Sequence, residues 1–283
     1  MSLALTGLRC DMPVGFMAGL GLIRVLPDIA RLSWNPITCC AKLNGLDREQ
    51  LLAHLLLHMT ERHRSRELHL CDDVRGLDVS VYRAWAATES DATLAWVRSL
   101  WREDGDEIRP TNLCFTSGQQ RMLLMARELA QSLEPGASEK VQAAVRRKFD
   151  EALFGPWLYA DGSSSWGWDP ASFRIGAHTP QAPAKMSTEG VAAAYWLAWE
   201  ALPMLPCVPG RGTLGFVKED RVTKWNWASW TEPLSKHAVA AVLRRPAEAL
   251  ALGGRAFESE VVKSGYYQFF RPGRSRVPMS RQT

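Results

Sequence analysis

His54 and His58 stand four residues apart, the spacing at which two imidazoles on one helix face can meet one metal ion. His63, Asp72 and Asp73 follow closely and would be the nearest further ligands, so a metal-dependent nuclease centred on His54, His58 and Asp72 is one reading. No motif fixes a third ligand, however, and no His-Asp dipeptide occurs. His54 adjoins the apolar Leu51–Leu55 face and His58 lies between Leu57 and Met59, which favours a structural role for both. Gly210, Gly212 and Gly215 match the G-x-G-x-x-G spacing of a dinucleotide loop, but Pro206 and Pro209 precede them and no helix pattern follows, so the strand-turn-helix context is missing. Phosphate-loop, H-E-x-x-H and G-x-S-x-G motifs are absent. Six cysteines (Cys10, Cys39, Cys40, Cys71, Cys114 and Cys207) show no C-x-x-C spacing and read as buried free thiols. The expectation is a non-enzyme with no cofactor and no metal.

Binding chemistry is concentrated at the carboxyl end. From Val261 to Thr283 the chain carries Lys263, Arg271, Arg274, Arg276 and Arg281 and no acid, a local charge of +5; with +4 overall, the rest of the chain nets −1. Tyr266, Tyr267, Phe269 and Phe270 directly precede the arginines, which sets aromatic platforms beside phosphate-neutralising groups. Strand alternation puts Tyr267 and Phe269 on one face and Tyr266, Gln268 and Phe270 on the other, so one set belongs to a core. Nucleic-acid contact is therefore expected at Lys263, Tyr266, Phe270, Arg271, Arg274, Arg276 and Arg281, against the plainer reading of a disordered basic tail after a core strand. Arg62, Arg64 and Arg66 complement a helix carboxyl terminus. Arg174 follows the Trp166, Trp168, Asp169, Pro170 group and can pair with Asp169 or carry an external phosphate. Twelve tryptophans against five tyrosines is a further bias, and Trp196, Trp199, Trp225, Trp227 and Trp230 read as core or interface.

The elements that must position these groups follow from periodicity. Ser2–Cys10 reads as a strand. Pro13 opens a helix reaching Leu26, whose Gly15, Gly19 and Gly21 cost about 1 kcal/mol each relative to alanine and so imply a close neighbour. Strands are expected at 30–34 and 37–43, and a helix at 48–62 capped by Asp47. The alternation of Leu77, Val79 and Val81 predicts a strand over 77–85, followed by a helix at 91–101 and a loop over 102–112. Ser117 and Ser138 cap two further helices. Gly190–Leu202 reads as a helix buried on most sides. A strand pair at 212–217 and 221–227, a helix at 234–252 and a strand at 261–270 complete an α+β pattern, a mixed or antiparallel sheet packed with several helices. The 283 residues form one large domain or two interleaved lobes, an N-terminal α+β lobe at 1–135 and a C-terminal one with the basic tail at 136–283. With 46% hydrophobic and 23% charged residues the chain is neither disordered nor disulfide-stapled. Met12–Ile23 is too short to span a bilayer, Asp11 precedes it and no small-x-small site follows, so a cytoplasmic location without membrane contact is expected.

The opening stretch from Leu5 to Leu26, with Arg31–Trp34 after it, resembles the start of proteins of type I-G (formerly I-U) CRISPR systems, and is similar to the family related to the extension domain of the interference helicase-nuclease. The pattern continues in Phe115–Gln120, in Trp168-Asp169-Pro170 through Arg174, and in Trp196–Pro206 leading to Gly215 and Phe216. The resemblance touches most of the chain and brings no catalytic motif with it. It implies a non-enzymatic accessory protein of RNA-guided immunity that contacts the helicase-nuclease or other CRISPR effector proteins, the crRNA-containing guide complex, or displaced single-stranded DNA. Sequence reading in such systems is delegated to base pairing. A protein-interaction scaffold without nucleic-acid contact is the alternative.

Overall fold

The protein is described by a computed structural model covering residues 2–115, 121–171, 189–208, 212–264 and 267–276. It has an α+β fold built on antiparallel sheets. β1 (Ser2–Arg9) leads into α1 (Pro13–Val25), and the chain returns through β2 (Arg31–Trp34) and β3 (Cys40–Asn44) to form a sheet of order β1-β3-β2. The register pairs Leu5 with Ala41 and Trp34 with Ala41, with a bulge before Arg9 meets Cys40. Pro13 occupies the first turn of α1, where its missing N–H is not needed. Every residue from Pro13 to Ile23 is buried. A helix buried on all sides needs places where neighbours can approach its backbone, and the glycines provide them. A Cβ on Gly19 would stand 2.5 Å from Cη2 of Trp34, and one on Gly21 would stand 2.8 Å from the carbonyl carbon of Leu197.

Asp47 accepts from Gln50 N–H and caps α2 (Arg48–Met59), after which 3-10 turns run over Arg62–Arg64 and Arg66–His69. The expected strand at 77–85 is instead α3 (Val79–Thr88), begun by Asp78, whose carboxylate accepts from Ser80 N–H. None of its residues is buried, so the alternation of Leu77, Val79 and Val81 has no sheet face to serve. After α4 (Asp91–Leu100), the expected loop over 102–112 is a hairpin of β4 (Trp101–Asp104) and β5 (Glu107–Pro110), turned by Gly105 at φ 64°. Pro110 sits at its open end opposite Trp101, where a missing N–H is tolerated. α5 (Met122–Ser132) follows, with Ser117 outside the described residues. Ser138 caps α6 (Glu139–Phe154) as expected.

α7 (Ala192–Glu200) is buried at all nine positions and lies against α1. Beyond it, β6 (Cys207–Val208) pairs with β7 (Gly212–Thr213), and the expected single strand at 212–217 breaks at Gly215, φ 83°, before β8 (Phe216–Glu219). β8 pairs with β9 (Val222–Ala228). The expected helix at 234–252 is two, α8 (Lys236–Leu243) and α9 (Pro246–Ala251), because Pro246 bars its predecessor from helical geometry. The final strand is likewise a hairpin, β10 (Ala256–Ser264) against β11 (Tyr267–Phe270), and β12 (Arg274–Arg276) continues along β10.

The two larger sheets are joined where Trp34 N–H donates to Trp230 O and Leu32 exchanges bonds with Leu234. Indole N–H groups complete the join: Trp230 donates to Leu32 O at 2.8 Å and Trp227 to Cys10 O at 2.7 Å. Phe16 of α1 packs among Trp34, Trp225, Trp227 and Trp230. One apolar core runs from Leu5 to Phe270 and takes side chains from both halves of the chain. No described helix is long and apolar enough to cross a membrane.

Candidate nucleic-acid interface

The C-terminal hairpin presents the basic residues, and its register decides their neighbours. Lys263 is exposed near the end of β10, opposite Gln268. Arg271 follows β11; its N–H bonds Glu260 O and its Nε lies 3.4 Å from the Glu260 carboxylate. Arg274 is exposed opposite Glu258 in the register and makes no ion pair among the described residues. Arg276 lies 3.9 Å from Glu219, while Lys224 takes Glu219 at 3.0 Å and Glu258 at 3.9 Å. The acid-free tail of the sequence thus meets three glutamates supplied by β8 and β10.

Phe270 is not a base platform. It is fully buried, its ring packs edge-on to Phe115 with centroids 4.9 Å apart and stacks on Trp225 at 5.4 Å, and its N–H bonds Gly167 O. Burial does not follow the predicted alternation: Phe270 is in the core, but Gln268 on the same predicted face is exposed and Phe269 is half-buried. Tyr266, Arg281 and Arg174 lie outside the described residues.

Arg255 joins this surface and was not foreseen. Its guanidinium donates to Pro36 O at 3.2 Å, to Cys39 Sγ at 3.8 Å and to Ser275 Oγ at 3.3 Å, and it lies over the Phe257 ring. These acceptors are neutral, so its charge stays available at the exposed end of the sheet. Only the pairing of Ala256 with Arg276 brings it beside the tail, and no local signal in the sequence carries that pairing.

The two histidines have different surroundings. His54 is exposed, whereas His58 Nε2 lies 3.0 Å from Oε1 of Glu200. Asp72 is held by Arg127 and, at 3.6 Å, by Arg121, and Asp73 by Arg75. Hydrogen bonding to Arg127 lowers the Asp72 carboxyl below its usual range. No group of three or more His, Cys, Asp or Glu side chains among the described residues is placed to hold a metal ion.

The charged centre of the core is Glu200, the single charge that the sequence places in an otherwise apolar helix. Arg62 Nε reaches its carboxylate at 2.9 Å, Arg24 pairs with the same carboxylate and donates Nε to Glu200 O at 2.6 Å, and Glu67 holds Arg62 at 2.7 Å. Trp96 lies under both guanidinium groups. Burial alone would push the Glu200 carboxyl up; Arg62, Arg24 and His58 outweigh it and hold it well below the ordinary carboxylate range. This cluster pins α1, α2 and the first 3-10 turn to the end of α7.

Asp169 is buried, accepting from Tyr195 Oη at 2.8 Å and Ala171 N–H at 2.9 Å. Burial and the Asp169 charge raise the Tyr195 and Tyr159 phenols. Gly212 and Gly215 lead into strands and not a helix, so they cannot present helix amides to a pyrophosphate. The thiols are free, and burial pushes Cys114 up to about 12 and Cys71 up to about 11. Comparison with known protein families gives no match to the chain, and comparison with curated proteins gives none either.

Proposed function

We propose that the protein is a non-catalytic accessory subunit of a type I-G CRISPR system, located in the cytoplasm, which contacts the helicase-nuclease or guide complex and touches nucleic acid through the exposed Arg255, Lys263, Arg274 and Arg276 of its C-terminal strands. The observation that carries this reading is the placement of the resembling segments. Pro13–Leu26, Arg31–Trp34 and Trp196–Pro206, scattered in the sequence, pack on one another: Gly19 against Trp34, Gly21 against Leu197, and Arg24 on Glu200. These segments thus share one part of the core, which is what supports the reading. The protein-only alternative draws on a different observation, the pairing of Arg271 and Arg276 with Glu260 and Glu219.

Two measurements test these readings. Co-expression with the helicase-nuclease and guide-complex proteins of one type I-G operon, followed by size-exclusion chromatography, is expected to give co-elution; separate elution from every operon product overturns the assignment. Binding to a fluorescent single strand is then followed against salt for the wild type and the Arg274→Gln, Arg276→Gln double variant. Each lost phosphate contact lowers the slope by about 0.7, so the pair lowers it by about 1.4. Co-elution with an unchanged slope supports the scaffold.

A further inference from the structure

We propose that Cys10 and Cys39 are a dithiol pair that closes to an intramolecular disulfide on reaction with a small disulfide such as oxidised glutathione. β1 and β3 are antiparallel, and the pairing of Arg9 with Cys40 sets Cys10 beside Cys39, whose carbonyl accepts the Cys10 N–H at 2.8 Å. The two residues lie just beyond the last pair of β1 and β3, joined by that one backbone bond, and a disulfide bridges Cα atoms about 4.4 to 6.8 Å apart. Both side chains belong to the same buried core. Cys39 takes φ 60°, a left-handed conformation uncommon for a residue with a Cβ. That turn separates the two neighbouring thiols: Cys40 Sγ faces the carbonyls of Thr6 and Thr38 at 3.8 and 3.6 Å, while Cys39 Sγ lies 3.8 Å from the Arg255 guanidinium. Cys39 therefore has Cys10, and not Cys40, as its partner.

The exchange balances. The Cys39 sulfur, after losing its proton, attacks one sulfur of oxidised glutathione and releases one glutathione thiolate. The Cys10 sulfur, after losing its own proton, displaces the second glutathione and forms the Cys10–Cys39 bond. Two protein thiols are oxidised, one glutathione disulfide is reduced to two thiols, and the two protons are taken up by the departing thiolates. Cys10 is 1% and Cys39 5% exposed, so the reaction is slow and calls for an incubation of hours. The bond would form beside Arg255, which also holds Ser275 of β12, so the redox state of the pair acts on the strand that carries Arg274 and Arg276.

The test incubates the full chain in a series of oxidised-to-reduced glutathione ratios, quenches with an alkylating agent at low pH, and maps tryptic peptides. The expected product links the peptide containing Cys10 to the one containing Cys39 and Cys40. That link persists in Cys40→Ser and disappears in Cys39→Ser, and the oxidised wild type melts at a higher temperature than the reduced form. Mapping of the wild type needs no variant to fold. A Cys39–Cys40 bond, an intermolecular bond, or recovery of Cys10 and Cys39 fully alkylated after Cys40 has become glutathionylated overturns the proposal.

Discussion

Replacing Gly21 by alanine tests how the core is closed. The added Cβ would lie 2.8 Å from the carbonyl carbon of Leu197 and 3.0 Å from the Ala201 nitrogen, with the Leu197 oxygen closer still. Ordinary contact begins at 3.4 Å, so moving the carbon from 2.8 to 3.4 Å requires α1 and α7 to part by about 0.6 Å, and clearing the oxygen requires more. The obstacle is the backbone of a fully buried helix, which cannot swing aside as a long side chain can. Overpacking of this kind costs about 1 to 3 kcal/mol, and a backbone obstacle belongs at the upper end. Alanine recovers about 1 kcal/mol of helix propensity, leaving a net loss of about 2 kcal/mol. At roughly 2 to 3 °C per kcal/mol for a chain of this size, Gly21→Ala should melt about 4 to 6 °C below the wild type. Gly162→Ala is the control, since nothing lies within 4 Å of the added atom. A Gly21→Ala protein that melts with the wild type in calorimetry, at an unchanged urea midpoint, refutes the close approach of α1 to α7.

Glu200→Gln leaves Arg24 and Arg62 facing a neutral amide and should cost about 3 kcal/mol, the lower end for a broken buried pair, because the amide oxygen still accepts hydrogen bonds. Since the native carboxyl is held below its unfolded value, its stabilisation is complete above the ordinary carboxylate range and is lost as pH falls; urea midpoints between about pH 3 and 7 should decline less steeply in the variant, and parallel curves would refute the ionised cluster. Phe270→Ala should cost about 3 to 5 kcal/mol in a urea melt, and a loss below 1 kcal/mol would return the ring to the surface.

The legible parts of the sequence were those set by near neighbours in the chain. Asp47 and Ser138 announce their helices because a cap acts within three residues, and Pro13 with Gly15, Gly19 and Gly21 announces a helix under close approach. The 77–85 stretch misled because alternation identifies a strand only when one face is buried, and α3 buries neither. The β4–β5 hairpin was hidden by its charged residues and by Pro110, which a strand tolerates at its end. Alternation did not single out Phe270: Gln268, which it puts on the same face, is exposed, and Phe270 is buried by Phe115 and Trp225, remote in sequence. Glu200 stood out as a lone charge, but its partners Arg24, Arg62 and His58 come 176, 138 and 142 residues earlier.

The segments that carry the family resemblance and the residues that would meet a partner are different parts of the molecule. The first are interior, where Gly19, Gly21 and Glu200 leave room for few alternatives, so they bear on the fold. The second are the outward side chains of β8 to β12, where exposed Glu219 and half-buried Glu258 and Glu260 stand among Lys224, Arg271, Arg274 and Arg276. A surface of interleaved signs projects little field beyond a Debye length of about 8 Å, so it cannot steer a polyanion from a distance. A polyanion that met this surface would have to do so at short range, where Arg255, Lys263 and Arg274 are exposed and held by no carboxylate among the described residues.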